Sequence, residues 1–325
     1  YFIICCCYHG FQCVSPYKTF NENPVTSSPF YDVFLGGSCG NTVWRKEEVI
    51  PFLEKRGITY FDPQKCVWDQ NMIGEEDVAK ENSRLILFVI DPTTINATSY
   101  LEIAHIAARQ VPKMVVVFLN QMLWQENGLP EDRVDRKRVC ETLGEILSMH
   151  HIPVLHTIKE ALIYIDEAIL DQKSWSEAMT NPLQRLPFLM LKGRRVFQQS
   201  AHKINTNANA TKKSWKVKFE KDPSPEGKRR MNAISSARHI IYYFPTAESM
   251  LSGMVEVAYI FGRISWKLTI CLPPEDRRCI KTNSKDAVLR EEYRYRNSCY
   301  KTAFLYLQAM GKDKNCQVMQ KACAV

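Results

Sequence analysis

The run Leu85-Ile-Leu-Phe-Val-Ile90 is apolar at every position, and Met114-Val-Val-Val-Phe-Leu119 repeats the pattern a helix-length further on. A strand with no polar face leaves nothing for water, so both runs must lie inside a sheet covered on two sides, which is the habit of parallel sheets. The intervening segment, from about Thr98 to Arg109, carries apolar residues at helical spacing. Strand, helix, strand with both strands buried predicts a right-handed crossover in a doubly wound α/β domain.

The rest of the first half fits the same plan. Tyr31-Asp-Val-Phe-Leu35 reads as a strand running into the turn Gly36-Gly37-Ser38-Cys39-Gly40-Asn41, followed by a helix through Trp44, Val49, Phe52 and Leu53 that Arg56-Gly57 closes. Ile58 to Phe61 is a short strand before Asp62-Pro63, and a helix is expected from about Glu75 to Asn82. A strand near Ile152 to Leu155 and a helix from Ile158 to Leu170 complete five β/α repeats within residues 31 to 173. Ligands of such sheets sit outside the carboxyl ends of the strands.

The second half carries an echo of the first. At a constant spacing of 154 residues, Ser83 to Asp91 lies over Ala237-Arg-His-Ile-Ile-Tyr-Tyr-Phe-Pro245, and Leu101-Glu-Ile-Ala-His-Ile106 over Val255-Glu-Val-Ala-Tyr-Ile260. Arg109 pairs with Arg263, Met114 to Phe118 with Leu268 to Leu272, and Phe34-Leu35 with Phe188-Leu189. This predicts tandem doubly wound parallel sheets of the flavodoxin or Rossmann kind, the second copy degenerate because Met190 and Leu191 replace its glycine turn. The expected organisation is an N-terminal segment without fixed structure (1–30), a first domain (31–173), a basic, partly irregular linker with the start of the second copy (174–235), and the core of that copy (236–325).

Composition narrows the setting. Twelve cysteines are thinly spread and never take the C-x-x-C spacing, so reduced thiols in the cytoplasm or nucleus are expected, with neither a metal site nor a cofactor. Cys5-Cys6-Cys7 has the look of an acylation site or, more simply, of a tail. In that compartment the sequons at Asn96 and Asn209 carry no sugar. The chain opens on Tyr rather than Met, as a fragment would, and no apolar run is long enough to span a bilayer. Of the formal charge of +8, most comes from Lys192 to Arg230, where twelve Lys or Arg face Glu220, Asp222 and Glu226. That stretch reads as a solvated segment rather than a stacking surface, so nucleic acid is not the favoured partner.

Candidate chemistry gathers at the first sheet's carboxyl edge. Gly36, Gly37 and Ser38 offer backbone donors and a hydroxyl, and Arg45 a cation for an anionic group. Glu102 falls in the first turn of its helix, as either a reactive carboxylate or the last member of a Ser99-Tyr-Leu-Glu102 capping box. Asp77 reaches the same edge as either a catalytic acid or a solvated residue complementing its helix dipole. In the second half Glu256 repeats Glu102, whereas Asp77 falls on Met231.

These residues resemble, in order and nearly in spacing, those of the nucleoside 2-deoxyribosyltransferases and deoxynucleoside monophosphate glycosidases. The Gly-Gly-Ser-Cys39 and Thr-Val-Trp-Arg45 turn is most similar to the deoxyribosyltransferase-like domain of the insect Raw proteins. The resemblance implies a retaining double displacement: Glu102 attacks the anomeric carbon of a 2-deoxyribose, Asp77 lies by the sugar or protonates the departing base, and water or a second base resolves the ester. Asn96 stands where the enzymes bind the sugar with Asp or Ser, and Ala97-Thr-Ser-Tyr-Leu101 where they carry small glycines. Similar enzymes are oligomers in which a neighbouring subunit completes each site, a part the second copy could play within one chain.

Two functions follow. One is a regulatory or signalling pseudoenzyme that binds a protein partner and retains at most a deoxynucleoside or deoxynucleotide pocket. The other is an N-glycosidase or deoxyribosyltransferase acting on those compounds through Glu102 and Asp77.

Overall fold

The computed structural model describes residues 30–65, 69–110, 113–119, 129–180, 239–244, 250–263, 267–271, 279–280, 284–312 and 316–319. The expectations for the N-terminal segment, the Lys192 to Arg230 stretch, Phe188-Leu189 and Met231 lie outside these residues. The chain divides into two compact units, Tyr1–Leu162 with Phe219–Val325, and Ile163–Lys218. Helix α5 (Ile158–Thr180) begins in the first of these and continues past the boundary expected at 173.

The first unit holds a five-stranded parallel sheet and a small three-stranded parallel sheet, a mixed α/β architecture of the flavodoxin or Rossmann kind. The first sheet is built from β1 (Tyr31–Gly37), β2 (Tyr60–Phe61), β3 (Ser83–Ile90), β4 (Lys113–Phe118) and β5 (Val154–Leu155), in the order β2-β1-β3-β4-β5. The order reverses between β1 and β3, so a crevice is expected outside Gly37 and Ile90. Alternate residues of the central strands point to opposite faces. Phe34, Ile86, Phe88, Ile90, Val116 and Phe118 share one core cluster with the helices, while Val33, Leu35, Leu85, Leu87, Val89, Val115 and Val117 are buried on the other side.

The connecting helices are α1 (Ile50–Arg56), entered through a π-helical turn (Arg45–Val49), α2 (Met72–Glu81), α3 (Ala97–Arg109) and α4 (Arg133–Met149). Glu102 is thus the sixth residue of α3, in its second turn rather than its first. The start expected at Glu75 also moves, to Met72, so Asp77 lies mid-helix. Helix α4 has no counterpart in the sequence-based expectations. It is charge-rich; Val139, Leu143, Ile146 and Leu147 form its buried apolar stripe, and Asp135 and Arg136 are buried near its start.

The second sheet contains β6 (His239–Tyr243), β7 (Lys267–Cys271) and β8 (Cys316–Met319), in that order. Helix α6 (Met250–Gly262) crosses from β6 to β7, and α7 (Ala287–Gly311) from β7 to β8. Among the described residues β6 pairs with β7 alone and is an edge strand, whereas β3, over which the 154-residue spacing lays it, is central in the first sheet. Strands β4 and β7 begin at Lys113 and Lys267 and helices α4 and α7 at Arg133 and Ala287, each pair 154 residues apart.

The two sheets share one core. Helix α3 packs on α6, and the packing is crosswise: α3 also meets α7, and α4 also meets α6. A Cβ on Gly262 would sit 2.4 Å from the His105 carbonyl oxygen, so only glycine permits this approach. Polar contacts pin the seam. Arg296 of α7 forms a buried fork on Asp132 at 2.7 to 3.1 Å, and the Asp135 carboxylate accepts from Leu251 N (2.8 Å) and Ser252 N (3.2 Å) at the start of α6.

Candidate functional site at the carboxyl edge of the first sheet

The glycine turn is built for close packing of β1 on β3. A Cβ on Gly36 would lie 2.5 Å from the Phe88 ring, and one on Gly37, at φ 112°, would lie 2.1 Å from the Val89 carbonyl oxygen. Ser38 then continues the ladder, its N-H donating to Val89 O at 2.8 Å. Its buried hydroxyl donates to Asn96 Oδ1 and accepts from Asp91 N at 2.7 Å. Asn96, in the left-handed region at φ 58°, donates from Nδ2 to Asp91 O (2.7 Å) and Thr94 O (3.0 Å). The fold therefore brings Ser38 and Asn96 together and binds them to each other and to the loop.

Arg45 does not face an open anion site. It is 2% exposed, and its guanidinium donates to the carbonyls of Leu35 (3.0 Å), Gly37 (3.3 Å) and Ser38 (2.5 Å). Asp62 lies 3.3 Å away, and the Trp44 ring stacks beneath at 4.1 Å. These contacts take up the outward carbonyls at the end of β1.

The carboxylates converge from α2 and α3. Glu102 is 6% exposed and accepts a charge-assisted hydrogen bond from Lys80 Nζ, itself 5% exposed. Glu76 lies 3.6 Å from the same ammonium and Asp77 lies 3.3 Å from it. Of these two acids, Glu76 is buried and enters beside Glu102, whereas Asp77 stays at the solvent-exposed rim. From α7, the Tyr306 hydroxyl donates to Glu76 Oε2 at 3.0 Å. The capping-box alternative for Glu102 does not apply: Ser99 lies inside α3, the N-cap position belongs to Asn96, and that cap makes no side-chain hydrogen bond. Ser99 is buried beneath the same helix turn.

One ammonium among several carboxylates sets the electrostatics. Burial works to lower the Lys80 pKa, but the charges of Glu102, Asp77 and Glu76 outweigh it and hold the ammonium protonated. Burial pushes Glu76 up to about 7, with the neighbouring Glu102 charge adding to the rise. Burial raises Glu102 as well, while Lys80 pulls it back. The cluster is thus a Lys80–Glu102 ion pair beside a carboxyl group, Glu76, that burial and the Glu102 charge push toward its protonated form.

Helix α6 carries a buried carboxylate of its own. Glu256, 6% exposed, accepts from the Tyr242 hydroxyl at 2.6 Å. Among the described residues no group of three or more His, Cys, Asp or Glu side chains is arranged to hold a metal ion, and no helix is long and apolar enough to cross a membrane.

Lys80, Glu76 and Tyr306 were not anticipated. Glu76 and Lys80 stand four apart on one helix face, the spacing of a helical ion pair, and that was the available signal. Tyr306 comes from 230 residues further along and has none.

A family model described as nucleoside 2-deoxyribosyltransferase like matches residues 30–122, which contain the glycine turn, Lys80 and Glu102. Neither a curated protein nor a solved structure matches the chain.

Proposed function

We propose that this chain is a regulatory or signalling protein built on a nucleoside 2-deoxyribosyltransferase-like fold, with its carboxylate taken out of catalysis. The observation that carries this reading is the buried Lys80–Glu102 pair. A carboxylate that attacks a sugar must present an oxygen to the anomeric carbon. Here Lys80 holds one of the two carboxylate oxygens, Oε1, and the Phe34 and Tyr306 rings pack over the ammonium. Ser38, Asn96 and Arg45 have likewise turned their polar groups inward. The similarity of the glycine turn to the Raw proteins of insects points the same way, toward a protein partner in the cytoplasm or nucleus. We read the two halves as tandem copies, in which α6 and α7 serve the first half as an attached neighbour; the equal 154-residue spacings support this.

The second reading, an N-glycosidase or deoxyribosyltransferase, is favoured by one observation: Glu102, Glu76 and Asp77 all lie around one ammonium, and a retaining displacement needs paired carboxyl groups. The two readings separate when the purified chain is incubated with deoxynucleosides and their 5′-monophosphates and free base is measured by chromatography. The regulatory reading expects no base above the protein-free control and no glycosyl adduct on intact mass. Base release that disappears in Glu102→Gln would overturn it in favour of the enzyme.

A further inference from the structure

A second, chemically different cleft opens beside the small sheet. It encloses about 430 Å³, counting the mouth open to solvent, and lies between α6 and α7. Because α6 follows β6, the α6 N-terminus lies at the carboxyl edge of that sheet, the usual place for a ligand in such folds. The walls are Met250 and Met254 from α6 and Tyr300 and Phe304 from α7, with Cys279 and Lys301 as well. Asn297 also lines it, and both ends of its amide are bonded to the Ile280 backbone, at 3.2 and 2.9 Å, which fixes the Cys279 wall.

Three features of this cleft point to an occupant. Among the described residues no acid lines it, and Lys301 is exposed with neither a hydrogen bond nor an ion pair. Tyr300 is 4% exposed, and its hydroxyl is wholly buried without a hydrogen-bond partner in the described residues. Its ring is already fixed by the Arg296 guanidinium at 3.8 Å. The remaining surface is methionine and phenylalanine, side chains that adapt to an apolar body of irregular shape.

We propose that this cleft binds a monocarboxylate with an apolar body, the body lying among Met250, Met254 and Phe304 and the carboxylate meeting Lys301. The site is independent of the Glu102 cluster and does not rest on the reading of that cluster. Apolar burial supplies most of the affinity, and the cation selects the charged head.

The test uses the full chain with decanoate and, as the uncharged control, decanol. Binding is followed by calorimetry and by the rate at which iodoacetamide alkylates Cys279, read peptide by peptide, with the exposed Cys39 of the first half as internal reference. Decanoate should bind more tightly than decanol and slow alkylation of Cys279 but not of Cys39. Lys301→Gln, on an exposed side chain, should weaken decanoate about fivefold and leave decanol unchanged. Met254→Trp, checked for native circular dichroism, should abolish binding of both. The proposal is overturned if Cys279 is not protected, if decanol binds as tightly as decanoate, or if Lys301→Gln changes nothing.

Discussion

Lys80 donates to Glu102 between two aromatic rings, its ammonium 5.3 Å from the Phe34 ring and 5.9 Å from the Tyr306 ring. Two charges out of water hold each other in place, and removing either leaves the other without compensation. Glu102→Gln should therefore destabilise the chain by about 3 kcal/mol, the lower end for a broken buried pair because Glu76 and Asp77 still face the ammonium. A double replacement, Lys80→Met with Glu102→Leu, should recover most of that loss. Urea unfolding of Lys80→Met, Glu102→Leu and the double variant checks this; additive losses would remove the pair as a unit.

Glu76 gives the cluster a pH dependence. Its pKa in the folded chain is raised from 4.5 to about 7, so folding favours its protonated form. The contribution is fully present below about pH 4.5 and is lost as the pH climbs through 7. Glu76→Gln cannot ionise and still accepts from Tyr306. Its urea midpoint should fall less steeply than the wild type's between pH 5 and pH 8, on the order of 1 kcal/mol or more per pKa unit of difference. Parallel pH profiles for the two proteins would refute the assignment.

Asp135 caps a helix that belongs to the other sheet. Its buried carboxylate takes the Leu251 and Ser252 N-H groups at the start of α6 and also the Ser252 hydroxyl. Asp135→Ala strips these donors of their acceptor inside the protein, and should cost about 2 kcal/mol. Hydrogen exchange should localise the loss to the first turn of α6 and the facing part of α4, leaving β1 and β3 protected. Uniform loss of protection would mean that the cap matters only globally.

Gly37 admits no side chain. A Cβ there would meet the Val89 backbone at 2.1 Å with φ at 112°, so Gly37→Ala must break the β1 to β3 ladder at its carboxyl end. It should cost more than about 2 kcal/mol. Gly40, at φ 92° but with open space around it, should lose less when changed to Ala. Thermal unfolding of the pair ranks them, and equal losses would place the penalty in φ alone.

What was legible in the sequence was what burial alone dictates. The runs at 85–90 and 114–118 could be nothing but covered strands, and with them came the sheet and its carboxyl edge. Choosing among neighbouring acids was beyond reach. Glu75, Glu76 and Asp77 are consecutive, and a helix start displaced by three residues leaves the buried member undetermined. The capping box at Ser99 was a local pattern overruled by a loop: Asn96, held at positive φ by Ser38 and Asp91, starts the helix earlier. Lys80 was passed over because a lysine near a helix end ordinarily reaches water. Arg45 reads equally well in the sequence as an anion ligand or as an exposed, solvated side chain, and nothing local signals the three carbonyls that surround it.

The crosswise packing of α3 and α4 on α6 and α7 has a bearing on synthesis. At about 5–20 residues per second, the ribosome takes on the order of ten seconds to pass from the end of α3 to the end of α6. Once β5 has been made the first sheet can assemble, but until α6 follows, the apolar stripe of α3 that meets α6 lacks that partner. The nascent first half is therefore a natural client for a chaperone.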